Sequence, residues 1–330
     1  MPNPTRLLKI LLLTTGLLLA GCPEPTAPAR VWRLGYSDAP THQALAEQLA
    51  ERVNRLSAGR LQLQPLALDG AARLERVSSG ALEMGLGQSA EDALPAAVFF
   101  GAQPFGLSAS QYAAWLQHGG QALWEQTYGP YGVLPLALEQ EPLSLGLWSD
   151  RELGAATDLL GMTVRQPGLL GELLQRLGAR VEPPLAQDPP QARISQGLPQ
   201  DEALGLHRGA RYYYPWPGRA AAADLLINQQ AYQGLPADLQ AIVREASRGL
   251  GQQAEDDALY QCALALERLR LQGVLFSPLP APLQQRLRQE SASLLAEHAA
   301  RDPLNGRIWA SQSSFQALLL PLQPLETPAP

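Results

Sequence analysis

The stretch that decides the fold reads VWRLGY at residues 31–36 and alternates in the manner of a β-strand. Outward from it, helical and strand patterns take turns, with helices at residues 42–57 and 71–79 and strands at residues 60–68 and 81–87. Strands that are separated by helices pair in parallel through right-handed crossovers. Residues 31–87 therefore predict an α/β lobe built on a parallel sheet.

A second, smaller strand–helix–strand unit is predicted after a hinge. Residues 132–148 are extended and carry Pro135 and Pro142, which predicts a strand and a passage into a second lobe. The unit itself has a strand at residues 162–165, a helix at residues 169–177 and a strand at residues 179–181. The protein is therefore expected to have two α/β lobes.

The remaining chain predicts one irregular segment, two strands and two helices. Residues 183–209 are Pro-rich and irregular, 211–216 form an aromatic strand, and 225–228 form a strand that returns to the first lobe. A helix at residues 235–273 is long for a globular protein, so we expect it to pack across both lobes. The last helix is predicted at residues 283–300. The expected division is a first lobe at residues 31–140, a second lobe at 141–224, a return segment with the spanning and C-terminal helices at 225–320, and a tail at 321–330.

Length and charge agree with two globular lobes. The chain has 330 residues, and hydrophobic cores rarely grow beyond roughly 250–300 residues before they divide. An apolar fraction of 46% and a charged fraction of 17% are typical of a globular protein. The net charge is −6 and the sequence has no clustered basic surface, so nucleic acid is not expected as a partner.

The sequence lacks the residue types and motifs on which several kinds of enzyme depend. Lys9 is the only lysine, and it lies in the predicted signal peptide at residues 1–21. The mature protein would therefore have no lysine for a Schiff base or a phosphate-binding loop. The four histidines are scattered, and the chain has no HExxH, CxxC or GxSxG motif. The sequence therefore predicts neither an enzyme nor a metal or cofactor site.

The first residues predict export and a lipid anchor. Arg6 and Lys9 precede an apolar run at residues 10–20, which is shorter than the roughly 20 residues that span a bilayer. The string LAGC at residues 19–22 resembles the lipobox of bacterial lipoproteins, which implies lipid attachment to Cys22. The alternative is an ordinary secretory signal. The predicted segments are a signal peptide at residues 1–21 and a tether at residues 22–30.

Several strings spread over residues 32–310 are together similar to those of one known family. In the first half they are SAGRL at residues 57–61, VSSGALEMG at 77–85 and PFGL at 104–107. In the second half they are DLLGMTVR at residues 158–165, YYYP at 212–215 and LPADLQAIV at 235–243. In this order and spacing the chain resembles the solute-binding proteins of tripartite ATP-independent periplasmic (TRAP) transporters.

This resemblance implies a fold, a function and a place in the cell. The fold is the two-lobed α/β periplasmic-binding-protein fold (type II-like) with a long lobe-spanning helix. The function is capture of a small organic acid in the periplasm and its delivery to the membrane subunits of a TRAP transporter. The YYYP string at residues 212–215 is similar to that of the branch that binds 2-oxo acids and related carboxylates. With Cys22 lipidated, the protein would be anchored to a bacterial membrane.

Arg165 is the residue that the resemblance assigns to the ligand carboxylate. The chemistry supports this assignment, because a guanidinium offers paired donors to the two carboxylate oxygens and stays charged in a closed cleft. Arg165 ends a predicted strand, just before a Gly168 turn and a helix N-terminus, where open α/β sheets present groups to ligands. The alternative is a surface arginine at a strand end.

Other candidate ligand-binding residues are Tyr36, Ser89, Gly168, Ser144, Tyr213 and Trp216. Tyr36 and Ser89 follow the first and third strands, at the expected lip of the cleft. Tyr213 and Trp216 could line an apolar side of the cleft, but large aromatic residues in a strand also serve as core, and this second reading is favoured for the tyrosines.

The sequence departs from the family in the expected cleft. The glutamine expected before the hinge tryptophan is Ser144, a tyrosine pair is replaced by AEDA at residues 90–93, and an acidic segment that would supply a tryptophan and cation ligands is largely missing. The acid expected after YYYP is also missing, and that region reads PGR at residues 217–219. The family's cation site is therefore predicted not to form, unless Asp201 or Glu202 partly replaces it.

Two functions remain open on the sequence alone. The first is a TRAP-type binding protein that holds an altered carboxylate ligand chiefly through Arg165. The second is a repurposed lipoprotein of the same fold that has no tight small-anion ligand and acts through protein contacts.

Overall fold

The computed structural model describes residues 28–37, 40–68, 72–138, 145–164, 168–182, 191–195, 197–219 and 223–322. Within them the strands are β1 Arg30–Ser37, β2 Leu61–Leu68, β3 Met84–Gly87, β4 Gln103–Pro104, β5 Val133–Ala137, β6 Gly146–Ser149, β7 Thr163–Val164, β8 Arg180–Val181, β9 Ala192–Ile194, β10 Tyr212–Pro215, β11 Gly218–Arg219, β12 Asp224–Asn228 and β13 Leu275–Phe276. The helices are α1 Pro40–Leu56, α2 Arg73–Ser78, α3 Ala109–Trp115, α4 Gln121–Tyr128, α5 Gly168–Arg176, α6 Leu198–Leu204, α7 Gln229–Gln233, α8 Ala237–Leu271, α9 Ala281–Ala300 and α10 Pro303–Leu319.

The first sheet has five strands in the order β2-β1-β3-β12-β5. β1 is parallel to β2 and to β3, which confirms the parallel sheet predicted from residues 31–87. β12 is antiparallel to β3 and β5 and is the predicted return strand. Leu34, Leu225 and Ile227 are fully buried in one core with the apolar faces of α1 and α8, and burial of this surface is what holds the sheet and helices together.

The second sheet has six strands in the order β13-β10-β6-β9-β7-β8. β7 and β8 are parallel and flank α5, as the second strand–helix–strand unit predicts. The prediction that residues 183–209 are irregular was wrong from residue 192 to residue 204, where β9 lies between β6 and β7 and α6 follows. β9 has only three residues and depends on pairing at both edges, so its own sequence carries little strand signal.

Helix α8 has 35 residues and contacts α1 and β5 of the first lobe and α6 of the second, as predicted for a spanning helix. Its buried positions include Leu239, Val243, Leu250 and Leu269. Leu259 continues the 3–4 spacing of these apolar side chains but is 57% exposed. The first part of α8 packs in the core of the first sheet and its last part in the core around Trp148. Leu259 lies between these two parts of the helix, where neither core covers its side chain.

Gly251 is the point where α8 comes closest to the chain that leaves the first sheet. A Cβ atom added at Gly251 would lie 1.6 Å from the carbonyl oxygen of Leu138, and real Cβ atoms do not approach backbone atoms so closely. Leu138 follows β5, directly before residues 139–144, which connect the two sheets. A glycine is therefore required here for helix and backbone to touch.

The C-terminal region contains a helix that the sequence did not predict. After α9, the side chain of Asp302 accepts a hydrogen bond from the Leu304 amide at 2.7 Å and caps α10. The buried face of α10 includes Asn305 and Gln312, and Gln312 donates to the Phe99 carbonyl at 2.9 Å. Because polar side chains occupy core positions, α10 lacks the apolar period that reveals a helix.

Two tryptophans and a cysteine on the described helices are buried. Trp115 and Trp124 are 1% and 2% exposed, and the helices that carry them are separated at Gly119, whose φ is +121°. Cys262 is buried in α8. Among the described helices, none is both long and apolar enough to cross a membrane.

Candidate functional site

The carboxyl ends of β1 and β3 form the edge of the first sheet where a ligand site is expected. β1 lies between β2 and β3, so the order of strands along the chain reverses at β1. Open α/β sheets bind ligands outside the carboxyl ends of strands at such a reversal. Tyr36, near the end of β1, is half-buried and pairs with Leu86 of β3.

A buried charge cluster occupies this edge. Arg73 Nη1 donates to Asp224 Oδ1 at 2.6 Å, and Arg73 Nη2 donates to Asp92 Oδ2 at 2.6 Å. The Ser89 amide donates to Asp224 Oδ2 at 2.6 Å, and the Tyr128 hydroxyl donates to Asp92 Oδ2 at 2.6 Å. The three charged side chains are at most 7% exposed and together carry one net negative charge.

Glycines in β3 make room for this cluster. Cβ atoms added at Gly85 and Gly87 would lie 2.8 and 3.1 Å from the Arg73 side chain, which runs flat across the strand. Burial opposes the charge of Arg73, but the nearby Asp224 and Asp92 outweigh it and hold the pKa of Arg73 above its ordinary value. Burial raises the pKa of Asp224, and Arg73 opposes that rise. The positive charge of Arg73 and the negative charges of Asp92 and Asp224 therefore stabilise one another.

His42 lies beside this cluster and is neutral at pH 7. It is 5% exposed, and its Nδ1 shares a hydrogen bond with the Ser37 hydroxyl at the end of β1. Burial, with a smaller effect of the Arg73 charge, lowers the pKa of His42 to about 4. A second cation is thus disfavoured next to Arg73.

The lowered pKa of His42 predicts a loss of stability in acid. Above about pH 6.5 the ring is neutral in the folded and the unfolded chain and has no effect on stability. As the pH falls further, the unfolded chain takes up a proton that the folded chain does not bind until about pH 4. Between these values the free energy of unfolding should fall by up to about 3 kcal/mol on this account.

The His42→Gln variant should therefore lose less stability than the wild type between neutral pH and about pH 4.5. Urea unfolding at both pH values measures the difference. His118 is exposed, so His118→Gln should follow the wild-type pH dependence and serves as the control. Equal losses in wild type and His42→Gln would contradict the prediction.

Arg219 forms a second buried cationic position. It belongs to β11, which pairs with β4, and it is 1% exposed. Its guanidinium carbon lies 3.4 Å from the centre of the Tyr112 ring, and Nη2 donates to the Gly101 carbonyl. Nε and Nη1 make no hydrogen bond, and no described carboxylate forms an ion pair with Arg219.

The structure places the predicted site residues differently. Arg165, Ser144 and Cys22 lie outside the described residues; Val164, directly before Arg165, ends β7 and is buried. Gly168 begins α5 with a φ of +69° and is exposed. Ser89 is buried beside the charge cluster, and its hydroxyl has no described hydrogen-bond partner.

The two predicted aromatic residues lie inside the protein. Tyr213 is 4% exposed and meets Trp148 edge to face, with ring centres 4.7 Å apart. Tyr212 and Tyr214 stack on the opposite side, as alternate residues of a β-strand do. Trp216 is 1% exposed, and its Nε1 has no partner among the described residues. A ligand role for Tyr213 and Trp216 stays a prediction.

The sequence matches known proteins along most of its length. Residues 197–302 match the family model of bacterial extracellular solute-binding proteins, family 7 (DctP). Over 295 residues, 31% are identical to those of a monocarboxylate 2-oxoacid-binding periplasmic protein of Nostoc sp. (strain PCC 7120), with 82% of this chain and 79% of that protein covered. The chain belongs to the family of TRAP solute-binding proteins.

Solved TRAP solute-binding proteins have the same two-lobed fold. One from Colwellia psychrerythraea, with bound calcium and pyruvate, matches with a TM-score of 0.82 and 26% identity, covering 90% of this chain and 97% of that one. One from Pseudoalteromonas atlantica, with bound sodium and pyruvate, matches at 0.81 and 28%, with the same coverage. One from Bordetella bronchiseptica, with calcium and picolinate, matches at 0.80 and 25%, covering 88% and 93%.

These matches confirm the predicted family and fold. They also identify the family as transport proteins of the periplasm rather than enzymes. The spanning α8 and the two sheets of this chain are thus the two-lobed architecture of TRAP solute-binding proteins.

The described residues of this TRAP solute-binding protein do not suit a bound cation. Asp201 is buried, and its Oδ2 accepts a hydrogen bond from Trp148 Nε1 at 2.8 Å. Glu202 forms an ion pair with Arg268 at 2.6 Å. Neither carboxylate is placed as a metal ligand, and among the described residues no three His, Cys, Asp or Glu side chains form a ligand set. Arg219 is positively charged and lies in the segment where the family resemblance expects an acid.

Sequence reasoning missed the charged residues of the site. Asp92 and Arg219 fall within two of the departures from the family, but each was treated as a loss rather than as a new group. Asp224 begins the return strand opposite Gly87, a pairing that only the sheet topology reveals. Arg73 and Tyr112 stand on helices, and no motif in the sequence assigns either of them to a ligand site.

Proposed function

We propose that this protein captures a small 2-oxo monocarboxylate in the periplasm and delivers it to the membrane subunits of a TRAP transporter. The observation that carries the proposal is the similarity, over 82% of the chain, to a monocarboxylate 2-oxoacid-binding protein, together with structural matches to two pyruvate complexes. Lobes at residues 31–140 and 141–224 would close on the ligand. The chain takes no part in catalysis in this function.

Arg165 is proposed as the main carboxylate-binding group. It follows β7 directly and precedes the N-terminus of α5, whose dipole favours an anion. One charge-assisted hydrogen-bonded pair contributes roughly 1.5–3 kcal/mol, whereas micromolar binding needs about 8 kcal/mol. Further groups must therefore assist, and Tyr36, Ser89, Ser144 and Gly168 are the proposed ones. Tyr213 and Trp216 would support the walls of the cleft.

Thermal unfolding of the purified protein with a panel of mono- and dicarboxylates tests the function. A ligand that binds only the folded state at 100 times its Kd adds about 2.7 kcal/mol of stability. Pyruvate and its 2-oxo homologues should raise the midpoint, and the corresponding amides, which lack the carboxylate charge, should not. A panel without any shift would instead favour a repurposed lipoprotein that acts through protein contacts.

Cys22 is proposed as the site of lipid attachment. The string LAGC at residues 19–22 supports this, since small residues precede the cysteine at the end of an apolar run. The protein would then stay in the membrane fraction of cells, and Cys22→Ser would move it to the soluble periplasmic fraction. A wild-type protein found only in the soluble fraction would contradict the anchor.

A further inference from the structure

Among the described residues, the guanidinium of Arg219 lacks the carboxylate and some of the acceptors that normally accompany a buried positive charge. A buried arginine is ordinarily paired with a carboxylate and satisfies its donors, because an unpaired buried charge is costly. At 1% exposure, Arg219 satisfies only Nη2, through the Gly101 carbonyl, and leaves Nε and Nη1 without an acceptor. Burial accordingly lowers the pKa of Arg219 from its ordinary value.

Other buried donors without acceptors occur on segments that pack around Arg219. Arg219 pairs with Gln103 across β4 and β11, and its guanidinium stacks on Tyr112, whose buried hydroxyl interacts with the guanidinium and has no other described partner. Gly101 packs against Ala90, next to the unpartnered hydroxyl of Ser89. The Tyr112 hydroxyl is protonated at neutral pH, where it can donate as well as accept, and burial raises its pKa further, to about 12.

The neighbouring charge cluster cannot supply the missing acceptor. Asp92 and Asp224 are both bound to Arg73, and Asp224 also accepts from the Ser89 amide. Arg73 is thus neutralised by Asp92 and Asp224, whereas no carboxylate among the described residues forms an ion pair with Arg219. A buried guanidinium with two free donor nitrogens and no described carboxylate partner is complementary to an anion with oxygen acceptors.

We propose that Arg219 binds an oxygen of the 2-oxo acid, so that this chain holds its ligand through a built-in cation and needs no metal ion. The proposal rests on the function proposed above and assigns Arg219 to that same site. Related structures contain calcium or sodium together with pyruvate. In this chain an arginine stands in the segment where the family resemblance expects an acid, and Asp201 and Glu202 bind other side chains.

The first experiment measures metal dependence on the unaltered protein. Isothermal titration with pyruvate is performed on full-length protein after chelation in sodium-free buffer, and again with added calcium or sodium. The Kd should agree within about twofold among the three buffers, since the charge is supplied by the chain. A Kd that becomes measurable only with an added cation would overturn the proposal while leaving the proposed function intact.

The second experiment replaces the charge. Arg219→Met keeps an apolar stem against Tyr112, so the stacking contact is largely retained, but it removes the donors. Pyruvate should bind about 100-fold more weakly to this variant. Arg219→Lys keeps the charge without the planar fork and should bind about tenfold more weakly. Thermal unfolding of each variant without ligand establishes that it is folded.

A merely structural Arg219 would give a different pattern. A folded Arg219→Met protein that binds pyruvate as tightly as the wild type would overturn the proposal. If Arg219→Met does not fold, the metal dependence of the wild type and the Kd of Arg219→Lys still decide. If no 2-oxo acid binds to the wild type in any buffer, the proposed function itself has failed.

Discussion

Replacing Arg165 with alanine is expected to weaken pyruvate binding by about 100-fold, the upper part of the range for one charge-assisted pair. The loss arises because the ligand carboxylate would keep its desolvation cost in the closed cleft without the paired donors of the guanidinium. Isothermal titration at neutral pH measures the Kd, and the midpoint of thermal unfolding without ligand should stay close to that of the wild type.

Arg180→Ala is the matched control for this prediction. Arg180 begins β8, pairs with Thr163 of β7 and is exposed, so it removes an arginine from the same sheet without changing the proposed site. Its Kd for pyruvate should stay within about twofold of the wild type. If Arg165→Ala binds as tightly as Arg180→Ala, Arg165 does not hold the carboxylate.

Replacing Arg73 with methionine is expected to lower the free energy of unfolding by about 3–5 kcal/mol. The methionine roughly fills the space along Gly85 and Gly87, so a cavity is not the main cost. The cost comes from Asp92 and Asp224, which would be buried together without a positive charge between them. Urea unfolding at neutral pH measures the change.

Two further variants separate charge from packing at Arg73. Arg76 is exposed on the same helix, so Arg76→Ala should cost less than about 1 kcal/mol. Adding Asp224→Asn to Arg73→Met removes one of the two stranded carboxylates and should restore part of the lost stability. An Arg73→Met protein within about 1 kcal/mol of the wild type would show that the cluster does not need its cation.

The first lobe could be predicted from sequence because its signals are local. Residues 31–87 alternate between strand and helix patterns, and a parallel pairing is nearly the only arrangement that such an alternation permits. The long helix at residues 235–273 was predicted as well, and its apolar side chains recur at a spacing of three to four residues. The exposed Leu259 shows the limit of that inference, because the apolar period cannot tell which part of a spanning helix has a layer beneath it.

Other parts of the structure depend on contacts between distant residues. β9 exists because β6 and β7 both pair with it, and α10 packs through Asn305 and Gln312 instead of an apolar stripe. The charge cluster joins Arg73 to Asp224, which lie 151 positions apart in the chain. No pattern along the sequence indicates such a pairing.

The contact of Gly251 with the Leu138 carbonyl fixes the separation of two chain segments by backbone atoms alone. Side chains that line a crevice can be exchanged during evolution without altering that separation, because none of them intervenes. A chain can therefore change what it holds while the packing of α8 against the first sheet keeps the same dimensions. This is consistent with a TM-score of 0.82 at only 26% identity to the Colwellia protein.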